Sequence, residues 1–173
     1  ALSRVNQNAE LKKRIVAKAA KIIKDGQTIV MLSGSTVYHL SCFIKDKKIT
    51  VITNSLLVFE ELKARKNIQL ILLGGYYNHA ESETSGYLTN SSPSYYRSDY
   101  LFMGTSGFDK FSGFTNDSYS IDVYRACLSM CRQACVLTES SKYNRGGTSI
   151  AAKPNEISYL FSDRGLSPLV AEH

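Results

Sequence analysis

Three nearly continuous apolar runs, "TIVML" at 28–32, "KITVIT" at 48–53 and "IQLILL" at 68–73, alternate with segments of helical period, and few architectures accommodate that alternation. A strand that is apolar along its whole length has both faces buried, so its sheet is covered on each side, as parallel α/β sheets are. The intervening segments supply the cover. Leu11, Ile15, Ala19, Ile22 and Ile23 recur at helical spacing before Asp25-Gly26 stops the first helix. A short helix is predicted over 36–45, and in "SLLVFEELKAR" at 55–65 Leu56, Phe59 and Leu62 share one side. Further strands are read at "YLFM" before Gly104, in "CVLTES" at 135–140 and in "ISYLFSD" at 157–163, with Ile121, Tyr124, Leu128 and Cys131 or Cys135 marking a helix before the last two.

Each strand ends in residues suited to touching a ligand: Ser33 to Thr36, then Thr53-Asn54-Ser55, then Gly74-Gly75, then Gly104, Thr105, Ser106, Gly107 and Asp109. In open parallel sheets ligands bind outside the carboxyl ends of the strands, so four such ends in series point to one crevice. At Ser33, Gly34, Ser35 and Thr36 the next helix begins, where unblocked N–H groups and the positive end of the helix dipole suit an anion such as phosphate; a plain helix cap has the same composition. The Ser, Thr, Asn and Tyr-rich excursion at 76–99 is read as a cover for this crevice. Neither the mononucleotide nor the dinucleotide glycine loop occurs. Of the histidines, His79 is placed to line the crevice and His39 on a helix surface. Asp109, Asp117, Asp122 and Glu139 supply carboxylates that suit a base on a sugar or a hydrogen bond to its hydroxyls equally well.

The chain has 173 residues with 43% hydrophobic composition, which suits one domain over 1–173. Its formal charge of +6 favours anionic partners, yet Lys12, Lys13, Arg14, Lys18, Lys21 and Lys24 read as the solvated face of the first helix, without the aromatic interleaving of a nucleic-acid surface. No apolar stretch reaches the ~18 residues of a membrane span and no secretory signal is present, so a cytoplasmic protein is expected. Cys42, Cys127, Cys131 and Cys135, the last three read on one helix, are expected to be reduced structural thiols, with no metal and no cofactor. The chain opens at Ala1 on a polar, basic segment and is read as a fragment of a longer protein.

In their order, "LKKRIVAKAAKIIKDGQTIVMLSGSTV", "VITNSL", "LILLGG", Gly86, "SDYLFMGTSGFD", "GFTNDS", "VYRA", "LTESSKYNR" and "YLFSD" resemble the effector-binding domain of the DeoR family of bacterial transcriptional regulators, over nearly the whole length. The resemblance implies a Rossmann-like three-layer sandwich with a mostly parallel sheet, similar to ribose-5-phosphate isomerase and glucosamine-6-phosphate deaminase. It also implies a phosphorylated sugar as effector, a repressor-type regulator, a homo-oligomer, and contact with operator DNA only through a winged helix-turn-helix domain upstream. Carried over by residue, it places Ser33 to Thr36, Thr53, Asn54, Gly74, Gly75, Gly104, Thr105, Ser106, Asp109, Arg125 and Lys142 at the effector. The family usually has Lys-Arg where this chain has Tyr124-Arg125. An isomerase would instead show an Asp-Glu pair at Thr105-Ser106, so a sensor is expected rather than an enzyme.

Overall fold

The computed structural model describes residues 2–117 and 120–167 around a six-stranded parallel sheet. The first three strands are β1 (Thr28–Met31), β2 (Thr50–Thr53) and β3 (Gln69–Leu72), followed by the hairpin β4 (Tyr76–Asn78) and β5 (Glu83–Ser85). Then come β6 (Ser98–Met103), β7 (Gly107–Asp109), β8 (Gly113–Asn116), β9 (Cys131–Leu137), β10 (Ser149–Ala152) and β11 (Tyr159–Phe161). The helices are α1 (Leu2–Asn6), α2 (Ala9–Ala19), α3 (Ser35–Phe43), α4 (Leu56–Leu62), α5 (Tyr87–Ser91) and α6 (Ile121–Met130).

The sheet order is β11-β9-β6-β1-β2-β3. Succession runs outward from β1 on one side and from β6 on the other, so the chain changes direction between these two neighbours. Alternation along each strand divides the core. Ile29, Met31, Val51 and Phe102 pack against α2, α3 and α4 through Val16, Ala19, Val37, Leu40, Val58 and Leu62. Val30, Ile52, Leu101 and Met103 meet Val123 and Cys127 of α6, together with Phe108, Phe114 and Ala151 of a small sheet ordered β10-β8-β7. The result is the three-layer α/β arrangement expected, with an antiparallel sheet added to one outer layer.

Three details depart from the sequence expectations. The last helix stops at Met130 and Cys131 is already extended (φ −92°, ψ 150°), so Cys131 and Cys135 belong to β9 and do not share a helix face with Cys127. No glycine or proline marks that junction, and apolar residues continue across it. Burial pushes the thiols of Cys127 and Cys135 up to about 12 and that of Cys131 up to about 11, which keeps them protonated. Second, Lys12 does not share the solvated face of its basic neighbours: it is 2% exposed, because α1 folds back over α2 after Asn8 takes a left-handed conformation (φ 54°). Third, the 76–99 excursion is folded, as the β4–β5 hairpin, α5 and a 3-10 turn at Ser92–Tyr95. Among the described residues no helix is long and apolar enough to cross a membrane, and no group of three or more His, Cys, Asp or Glu side chains is placed to hold a metal ion.

Candidate functional site

The parallel pairing of β1 with β6 sets Met31 opposite Phe102, so the loops that leave these two strands lie side by side at the point where strand order reverses. Crevices form at such switch points. Here a cavity of about 310 Å³ opens between Ser33–Thr36 and Gly104–Ser106, with Lys142, Tyr124, Asn116, Asp117, Arg4 and Glu81 completing its wall.

Ser33 belongs to the scaffold. Its N–H donates to Asn54 Oδ1 (3.1 Å), its carbonyl accepts from the Tyr124 hydroxyl (3.3 Å), and its own hydroxyl donates to the Glu83 carboxylate. Glu83 is 1% exposed and also accepts from Ser120 Oγ (2.6 Å) and Asn54 Nδ2 (3.3 Å). Burial raises the Tyr124 phenol well above its ordinary pKa, so it remains a donor. The loop is therefore fixed from behind, and the groups left to face the cavity belong to Gly34, Ser35 and Thr36. Gly34 has φ +151°, a value that excludes most side chains, and it provides no side chain to cap the nine-residue α3. Among the described residues the first-turn N–H groups thus have no side-chain cap, which leaves the positive end of the helix to a ligand.

Lys142, on the 3-10 turn Ser140–Lys142, reaches the opposite wall and donates to the Thr105 carbonyl (2.7 Å). Burial is the main cause that lowers its pKa, with Glu139 opposing. Asn116, at the end of β8, is 6% exposed; its Oδ1 accepts from the Ser106 N–H (2.9 Å) and hydroxyl (3.3 Å). That pairing turns the amide nitrogen away from Ser106, and Nδ2 has no partner among the described residues. A buried donor without an acceptor is costly, and a ligand oxygen in the cavity is one way to satisfy it. Arg4 of α1 and Glu81 of the hairpin form an ion pair at the cavity wall.

Of the residues expected at the effector, Ser33, Gly34, Ser35, Thr36, Gly104, Thr105, Ser106 and Lys142 lie on this cavity; Thr53, Asn54, Gly74, Gly75, Asp109 and Arg125 do not. Thr53 and Asn54 are fully buried one layer behind it; Thr53 Oγ1 donates to the Met31 carbonyl (2.6 Å). Gly74 accepts from Thr89 Oγ1 (2.6 Å). Asp109 closes the β7–β8 turn by accepting from the N–H groups of Phe111 (2.7 Å) and Ser112 (2.6 Å). Arg125 makes a two-pronged pair with Glu156 (2.7 and 2.9 Å). His39 Nε2 sits 2.9 Å from the Val5 carbonyl, and His79 is exposed beside Tyr77, away from the cavity.

Gly75, exposed and outside the cavity, is a glycine for a structural reason. A β-carbon there would stand 2.1 Å from Thr89 Oγ1 and 2.4 Å from the Ser85 carbonyl, at φ +147°. The close approach is to this chain's own β5 and α5. Gly75→Ala should destabilise the domain by about 1–3 kcal/mol, the usual range for an overpacked site. Urea unfolding that matches the parent domain would show that the hairpin yields.

The DeoR C terminal sensor domain family matches residues 7–164. Over 158 residues the chain is 28% identical to the uncharacterized HTH-type transcriptional regulator YulB of Bacillus subtilis, covering 91% of this chain and 61% of the relative. It is 30% identical over 164 residues to FruR of the same organism, covering 94% and 65%, and 25% identical over 166 residues to UlaR of Escherichia coli O1:K1, covering 96% and 66%. The chain thus spans somewhat under two thirds of the first two relatives. Among solved structures, a ribose 5-phosphate isomerase A from Methanocaldococcus jannaschii superposes with a TM-score of 0.57 at 19% identity, covering 79% of this chain and 55% of the other. A chain of the tetrameric eIF2B-beta2-delta2 complex from C. thermophilum gives 0.61 at 16%, covering 91% and 56%. These structures share the fold; with residues 7–164 matched, the chain belongs to the DeoR C-terminal sensor domain family, the ligand-sensing part of transcriptional regulators.

Proposed function

We propose that this domain binds a phosphorylated sugar in the cavity between β1 and β6 and, without transforming it, alters the DNA affinity of the regulator to which it belongs, of repressor type. The observation that carries this is the open start of α3 at Gly34, facing Lys142 across the same cavity, with Arg4 also on its wall. The unpartnered Asn116 amide adds a donor suited to an oxygen of the sugar. A difference of ~1–3 kcal/mol in effector affinity between two states of the regulator gives roughly 5- to 150-fold control. The whole protein would contact operator DNA through a winged helix-turn-helix domain preceding this one, self-associate, and work in the cytoplasm.

A sensor is favoured over an isomerase by the carboxylates. Asp109 lies outside the cavity; Glu81 is engaged by Arg4, and Asp117 accepts from the Thr148 N–H (3.1 Å). None is placed as an unengaged base. Thermal unfolding with a panel of sugar phosphates, their parent sugars and inorganic phosphate tests the proposal. An effector at ~100 times its dissociation constant should stabilise the fold by roughly 2.7 kcal/mol, and the parent sugar should do far less. A panel in which no phosphate raises the melting temperature would refute sugar-phosphate binding. Conversion of ribose 5-phosphate to ribulose 5-phosphate by the pure domain would refute the non-catalytic part.

A further inference from the structure

Two side chains of opposite charge on the cavity wall come from segments outside the central sheet and its crossover helices. Arg4 comes from α1, the first helix of the described chain, and Glu81 from the turn of the β4–β5 hairpin, and the two side chains pair with each other. Their side chains are 49% and 34% exposed, and an ion pair that wet is weak, so exchanging its partner is easy. An anion entering the cavity meets both groups with opposite consequences. Glu81 repels it, whereas the Arg4 guanidinium offers a planar fork that suits phosphate better than a single carboxylate.

We infer that Arg4 exchanges Glu81 for the anionic group of the effector, so that occupancy of the cavity detaches the hairpin turn from α1. Arg4 then acts as a binding residue supplied by the segment that precedes α2. This rests on the proposal that an anionic effector occupies the cavity. The backbone of α1 is independently seated, which lets the guanidinium swing while its helix stays in place. Lys12 Nζ donates to the carbonyls of Arg4 (2.5 Å) and Gln7 (2.7 Å), His39 holds the Val5 carbonyl (2.9 Å), and Asn8 Nδ2 donates to Glu139 (2.6 Å). The hairpin is anchored apart from its turn, because Glu83 remains bound to Ser33 and Ser120. What the exchange frees is the Glu81 side chain, while Ser82 stays buried with its carbonyl accepting from the Leu56 N–H (2.9 Å). Effector binding is thereby converted into a change of contact between the hairpin and the amino-terminal helix.

The test uses two substitutions with opposite expected signs, in the whole chain, with ribose 5-phosphate and inorganic phosphate as probes. Arg4→Met should weaken binding of both by about 5- to 20-fold, and Arg4→Lys should recover part of it. Glu81→Gln removes the competing anion and should tighten binding by about 3-fold, a gain that a merely structural role of the pair does not give. In hydrogen exchange, phosphate should speed exchange at Glu81 in the parent chain, and Arg4→Met should already exchange fast there without it. Parent binding with Arg4→Met unaffected, or Glu81→Gln weakening it, overturns the exchange while leaving effector binding in place. Failure of the parent chain to bind either probe removes both.

Discussion

Lys12→Met should cost the fold about 3 kcal/mol or more, the range for breaking a buried ion pair from one side. Lys12 is 2% exposed and its ammonium sits 3.7 Å from Glu139 Oε1, itself 6% exposed, while also donating to the Arg4 and Gln7 carbonyls. Burial lowers its pKa and Glu139 opposes that shift, as expected for a charge tolerated inside only because it is matched. Methionine keeps the length of the side chain but leaves two carbonyls and a carboxylate short of a donor. The loss is therefore one of unsatisfied partners more than of packing. If so, adding Glu139→Gln to Lys12→Met removes the stranded charge and should restore at least ~1 kcal/mol, a coupling that urea unfolding of the four chains resolves. Additive costs would show that the two residues act separately. The same substitution loosens the seat of α1, so binding of phosphate should weaken with it.

Lys12 also shows where sequence patterning stops. The buried stripe of α2 is Lys12, Ile15, Val16 and Ala19, and in a sequence pattern that counts only apolar residues its first member, a lysine, reads as solvated. What covers Lys12 is α1, and nothing in the local pattern says that a helix will fold back there. Long apolar strands behaved otherwise: β1 and β2 are legible because a strand buried on both faces has no polar alternation to hide it, and the edge strand β3, only partly buried, carries the same apolar run. The small sheet β7-β8-β10 was not legible, being short, glycine-punctuated and built from pairings distant in sequence, such as Ile150 with Thr115.

The site followed the same division. Ser33–Thr36 and Gly104–Ser106 converge because β1 and β6 are neighbours at the switch point. The equally polar ends of β2 and β3 do not, because Asn54 is enclosed behind Ser33 and Gly75 lies exposed against β5 and α5, off the cavity. Arg4, Glu81 and Asn116 carry no local signal of their place. They reach the cavity from a preceding helix, a hairpin turn and the small sheet, so only the assembled fold brings them together.

The largest effect on binding is expected at Gly34. With φ +151°, a valine there is strained whatever the space, and its branches would grow from a β-carbon that already stands 3.9 Å from Val37 Cγ2 and 4.0 Å from Gly104 Cα, toward the ground a phosphate would occupy. Gly34→Val should therefore weaken a sugar phosphate by more than ~100-fold, about 2.7 kcal/mol. Ser35→Ala with Thr36→Ala removes hydroxyls and leaves the backbone, so its cost should stay within roughly 1–3 kcal/mol, the range for hydrogen bonds to charged groups. Lys142→Met should fall in that range too, and it adds a dependence on pH. Burial lowers the Lys142 pKa in the free protein, whereas an adjacent phosphate favours the ammonium form, so binding takes up a proton. Above the second ionisation of the phosphate, near pH ~6, affinity should hold steady and then fall as pH rises through that lowered value, before the 10.5 of an ordinary lysine. The fall should vanish in Lys142→Met. Calorimetry that finds a sugar and its phosphate bound equally, with Gly34→Val and Lys142→Met both silent, would leave the start of α3 an ordinary helix end and place the effector elsewhere.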